Sequence, residues 1–212
     1  MSRGAHGKAL EYYRRAAGHG DVLARLKADE LLVRGTGTLQ EAQAALADIE
    51  RLAAMGLIDA IVVVGDLART GVAGLVPADE RAALASYLLA ADKGSRTATL
   101  RAGEILISGL PANLDPARGV SMMLSVVEAG DASAYLALGD ALLKAGSGNP
   151  SGAISPVEAF EKAGAGGIST AYLRLGDIYR DGAGVPVDGN RAAQYYMKAA
   201  GLDSPGDGTD GQ

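Results

Sequence analysis

The chain contains no cysteine and no tryptophan, and only one phenylalanine among its 212 residues. The missing cysteine excludes disulfides, thiolate catalysis and cysteine-bound zinc. It does not choose a compartment, and cytoplasm and periplasm both stay open. With so few large rings, a core must rest on Ala, Leu, Val and Ile, and 48% hydrophobic residues can supply it. Long apolar runs are missing too. The longest, Ile58 to Gly65, is interrupted by Asp59 and is too short to span a bilayer. Met1 to Lys8 has no apolar stretch of the secretion-signal kind. A basic surplus is also absent. The formal net charge is −5, and three aspartates with no base lie between Asp203 and Gln212, so the body carries −2. That balance gives nucleic acid or an anionic membrane no electrostatic footing.

Glycine is abundant instead, at 30 residues, which suits a chain with many helix stops. Its spacing reveals an internal repeat. Residues 29, 65, 103, 139 and 176 are Asp, Gly, Gly, Gly and Gly, separated by 36, 38, 36 and 37. Gly20, Gly56, Gly94, Gly130 and Gly167 form a second column with the same four separations. Further columns are Ala24, Ala60, Ala98, Ala134 and Ala171, and the large series Tyr13, Ile49, Tyr87, Met123, Phe160 and Tyr196. Small residues on one helix let a second helix approach closely, and the large series is expected to fill the gap between neighbouring hairpins.

The columns predict eleven helices. First helices (A) run over 21–34, 57–70, 95–108, 131–145 and 168–181. Second helices (B) run over 7–18, 39–55, 79–93, 115–129, 154–165 and 188–201. Asp79, Asp115 and Asp188 stand where a carboxylate caps free N–H groups, and Pro116 follows at a first helical position. The units are 7–20 (partial), 21–56, 57–94, 95–130, 131–167 and 168–203, within a single repeat domain over 1–203. A loop is expected at 146–152, and a disordered tail at 204–212.

The last unit carries Ala171-Tyr172-Leu173-Arg174-Leu175-Gly176-Asp177-Ile178-Tyr179, then Gly182-Ala183-Gly184-Val185, Asp188, Ala192 and Tyr195-Tyr196-Met197-Lys198-Ala199-Ala200. This resembles the Sel-1-like repeat, a relative of the tetratricopeptide repeat with a longer loop in its hairpin. Other units match less well: Gly71 to Asp79 has two extra residues, and Asp29 replaces the small glycine. The resemblance implies an all-α, right-handed α-α superhelical solenoid of five hairpins plus a leading helix, with helix A on the concave side. It implies a scaffold or adaptor that binds protein partners, with no catalysis of its own and no cofactor. The alternative is a regulatory repeat module of a larger bacterial protein in exopolysaccharide synthesis, secretion or signalling.

No catalytic constellation stands out against that reading. His6 and His19 have no metal-site spacing, and Gly182 to Val185 lacks the Lys-Ser/Thr of a phosphate loop. The candidate site is an acidic column, Glu30, Asp66, Glu104, Asp140 and Asp177, one residue after each small position. The implied geometry turns it to the concave groove, where it would receive a partner's Arg or Lys. The competing reading is internal pairing at i,i+3: Lys27 with Glu30, Asp66 with Arg69, Arg101 with Glu104, Arg174 with Asp177. Tyr135 and Tyr172 read as core. The leading helix carries Leu10, Tyr12, Tyr13 and Ala16 with no helix A before it, so the expectation is a longer native solenoid and weak self-association through this end.

Overall fold

The structure, a computed structural model, describes residues 3–110, 113–128, 131–146 and 154–202. The expected tail, Gly130 and residues 147–152 of the expected loop lie outside them. Among the described residues there are eleven α-helices and no strand beyond a single bridge between Val72 and Val76. They are α1 (Arg3–Gly18), α2 (Val22–Leu31), α3 (Leu39–Ala54), α4 (Ile58–Thr70), α5 (Glu80–Asp92), α6 (Arg96–Ser108), α7 (Pro116–Glu128), α8 (Ser133–Ala145), α9 (Pro156–Ala165), α10 (Ser169–Asp181) and α11 (Gly189–Ala199). The chain divides into two compact units, Met1–Arg101 and Ala102–Gln212.

In the first unit α1 lies on α2, α3 on α4 and α4 on α5. Its core gathers Leu26, Val33, Ile49, Val63 and Leu67. In the second unit α8 lies on α9, α9 on α10 and α10 on α11, around Phe160, Ala171, Leu175 and Ile178. All five members of the alanine column are buried.

Local chemistry explains the helix boundaries. Asp79 accepts from the N–H groups of Arg81 and Ala82, and Asp188 from those of Asn190 and Arg191. Thr38 and Glu41 form a reciprocal capping box on α3. Each aspartate cap is also tied to the helix before it. The Asp79 N–H donates to the Ala68 carbonyl, Asp115 to Leu106 and Asp188 to Tyr179, at 2.7–2.9 Å. Between helices B and A the chain reverses through the spacer glycines. Gly56 and Gly94 have φ of 89° and 91°, where a Cβ would be strained.

Several boundaries differ from the sequence reading, and α1 starts at Arg3 rather than at 7. The α9 helix begins at Pro156 rather than 154, because Ser155 accepts from the Glu158 N–H and proline occupies the first turn. The α2 helix does not run on regularly to 34. Its last turn, Leu32–Thr36, widens to a π-helical turn that ends through Gly35 at φ 107°.

Four members of the large series lie on the small residue of their own hairpin. A Cβ built on Gly65 would lie 2.6 Å from the Tyr87 ring, one on Gly139 2.6 Å from Phe160, and one on Gly103 2.5 Å from Met123 Cγ. Tyr196 covers Gly176 in the same way. Between successive hairpins of the second unit, the Tyr172 ring lies on Gly164 of α9.

Candidate functional site

The acidic column follows the small column by one residue, so the tyrosines that cover Gly65 and Gly176 also reach the next carboxylate. In the first unit the Tyr87 hydroxyl donates to Asp66 Oδ1 at 2.6 Å. Arg101, one hairpin further on, forms an ion pair with the same carboxylate and stands 5.8 Å over the Tyr87 ring. Asp66 is thereby engaged by its own hairpin and by the next, and its side chain is only 19% exposed. Glu30 is equally withdrawn, with Lys27 Nζ and Arg34 Nε at 3.0 and 3.2 Å. Burial works to raise its pKa, but the two cations outweigh burial and hold it below the usual value.

In the second unit the Tyr196 hydroxyl donates to Asp177 Oδ1 at 2.8 Å, and Arg180 Nη1 lies 3.0 Å from the same oxygen. Desolvation, then the Asp177 carboxylate, raise the Tyr196 pKa, so the phenol stays a donor. Arg174 turns back to the preceding hairpin and pairs with Asp140 at 3.0 Å. The expected Arg174–Asp177 pair is not formed; Asp177 takes Arg180 instead. Phe160, over Gly139, has no hydroxyl to offer Asp140. These two aspartates remain more open than their first-unit counterparts, at 44% for Asp140 and 43% for Asp177. Glu104 is half-buried.

A second layer, not anticipated from sequence, links α9, α10 and α11 of the second unit. Tyr195 stacks on Tyr172 and Tyr179 with ring centroids 6.3 and 5.7 Å away. Its hydroxyl donates to Glu161 of α9 at 2.7 Å. Arg191 and Lys198 cover Tyr179 and Tyr195 at 5.3 and 5.6 Å. The 34-residue separation of Tyr195 from Glu161 is nearly one repeat, and it is the one trace this layer leaves in the sequence.

Among the described residues no three His, Cys, Asp or Glu side chains converge to hold a metal ion, and no helix is long and apolar enough to cross a membrane. His19 is exposed and His6 half-exposed.

Comparison with known proteins follows the same repeat. A model of the Sel1 repeat matches residues 6–21, 58–95 and 169–204. The fold is similar to that of a protective antigen present in uropathogenic Escherichia coli strains, which displays an SLR fold. The TM-score is 0.62 at 27% identity, over 91% of this chain and 40% of the antigen. A Sel1 repeat protein from Oxalobacter formigenes gives 0.59 at 25% identity, over 92% of this chain and 79% of that one. A third, from Klebsiella pneumoniae, gives 0.54 at 17% identity, over 90% and 91%, and bears on the fold alone. The chain therefore spans less than half of the antigen's length. No curated protein matches the chain.

Proposed function

From the premise that this is a Sel1-repeat protein, we propose that it binds a protein partner through the faces of its first helices, and that the partner presents Arg or Lys. Sel1 repeats are in general protein–protein interaction modules. The observation that carries the finer reading is the openness of Asp140 and Asp177. Both are ion-paired, but to arginines that are themselves 52% and 57% exposed. Exposed pairs of this kind contribute only about 0–1 kcal/mol. A partner's guanidinium can therefore take the place of Arg174 or Arg180 at little cost. Asp66 and Glu30 are held more closely, and their contribution is to shape the face rather than to receive the ligand.

The test is crosslinked capture from the native host, followed by titration of the captured partner against the wild type and Asp140→Asn with Asp177→Asn. Weaker binding with a shallower salt dependence is the expected result. Equal affinity and equal salt dependence would remove the acidic column from the binding surface.

A second reading, a module within a larger bacterial protein, is favoured by the antigen, in which similar repeats make up part of a longer chain. We also propose weak self-association through α1, where Tyr12 is 71% exposed. Light scattering at high concentration, with Tyr12→Ser as control, tests it.

A further inference from the structure

Four hairpins place glycine at the small position, and the first places Asp29 there. Its carboxyl keeps Oδ2 buried without a hydrogen bond and has the Asp48 carboxyl of α3 as its hydrogen-bonding neighbour. Asp48 is already heavily engaged through one oxygen. Its Oδ1 accepts from Arg25 Nη2 at 2.7 Å and from Arg51 Nη2 and Nε at 2.6 and 3.1 Å. Its other oxygen, Oδ2, lies 2.6 Å from Arg25 Nε but is buried without a hydrogen bond, as is Asp29 Oδ2. Two buried carboxylate oxygens cannot satisfy each other while both groups are ionised, because neither has a donor. One proton shared between the carboxyls supplies that donor and removes one of two adjacent like charges.

We propose that Asp29 and Asp48 share a single proton, and that this makes the seating of α2 on α3 a pH-sensitive joint, firmer in mildly acidic than in mildly alkaline solution. The charged surroundings assign the proton to Asp29. Asp48 has Arg51 on its own helix and Arg25 across from it, and these outweigh its burial and hold its pKa below the usual value. Asp29 is approached by Arg25 on its own helix and Arg14 from α1, but Arg14 is committed to Glu41 at 3.0 Å. On the same helix Glu30 is taken by Lys27 and Arg34, and on α4 Asp66 is taken by Tyr87 and Arg101. Burial first, then the hydrogen bond to Asp48 and its charge, push the Asp29 carboxyl up to about 7.

The sign follows by linkage. The folded state holds this proton to higher pH than the unfolded chain does. Its stabilisation is complete below the ordinary carboxylate value of 3.8 and is lost as pH rises to about 7. The Asp48 contribution runs the other way, and its loss lies on the acid side, below the ordinary value.

The experiment has two parts on the full chain. Thermal unfolding from about pH 5.5 to 8.5 compares the wild type with Asp29→Asn, whose amide donates to Asp48 at every pH. His6 and His19 are common to both proteins and cancel in the difference. The wild-type Tm should fall by about 2–4 °C relative to the variant across that range. In parallel, carbon-detected NMR of the wild type should show the Asp29 carboxyl titrating near neutrality. If the Asn variant does not fold, Asp29→Gly, the residue of the other four hairpins, takes its place. Parallel Tm profiles, or an Asp29 carboxyl that titrates in the ordinary range, would overturn the proposal.

Discussion

Tyr87 crosses Gly65 so closely that its ring occupies the place of a β-carbon, and its hydroxyl then closes on Asp66, the very next residue of α4. One side chain thus meets a hole and a charge in succession. The same pair of contacts joins Tyr196 to Gly176 and Asp177. The two halves of this contact respond to different substitutions.

The hole is tested by filling it. Gly139→Leu and Gly103→Leu should each destabilise the second unit by about 1–3 kcal/mol, since Phe160 and Met123 have no room to withdraw within a packed core. Urea unfolding monitored by circular dichroism measures this. An unchanged midpoint for both variants would contradict the packing described.

The charge is tested by removing the hydroxyl. Tyr87→Phe keeps the ring over Gly65 and deletes only the donor to Asp66. It should cost about 0.5–1.5 kcal/mol. Combined with Asp66→Asn in a double-mutant cycle, the loss in the double variant should be smaller than the sum of the two single losses. Strict additivity would mean that the two groups do not interact in solution.

The caps make a third case. Asp188→Ala removes the acceptor for Asn190 and Arg191 and should cost about 1 kcal/mol, whereas Asp188→Asn should cost less. Equal losses for the two would point to charge rather than capping geometry.

Stability and binding should separate at the exposed acids. Asp140→Asn and Asp177→Asn together should shift stability by about 1 kcal/mol or less, while weakening a cationic partner. A large loss of stability would mark these aspartates as structural.

Much of this was legible in the sequence because the repeat writes the same contact four times. The glycine and alanine columns, the spacer glycines and the aspartate caps each follow from local rules, and the helices stand close to where those rules put them. The partners of the long side chains were not legible. The i,i+3 rule correctly pairs Lys27 with Glu30. It fails for Arg174, which reaches 34 residues back to Asp140, because a neighbouring hairpin presents a carboxylate nearer than its own helix does. Spacing along the chain shows that Tyr87 and Gly65 recur together, but not that the ring lies on the glycine itself. The Asp29 substitution was visible as an irregularity, while its meeting with Asp48 needed the packed hairpin.

The tie between each aspartate cap and the helix before it has a consequence for how such a chain can change. In the second hairpin, eleven residues separate Ala68 from Asp79; in the last, nine separate Tyr179 from Asp188, yet the same N–H to carbonyl bond closes both. The two additional residues are absorbed between the clamped ends, where Val72 pairs with Val76. Whatever lies between the clamped ends can therefore lengthen without altering the register of either helix. Insertions there should be tolerated where the same insertions inside a helix would not be, and foreign peptides could be displayed at this position on an otherwise unaltered framework.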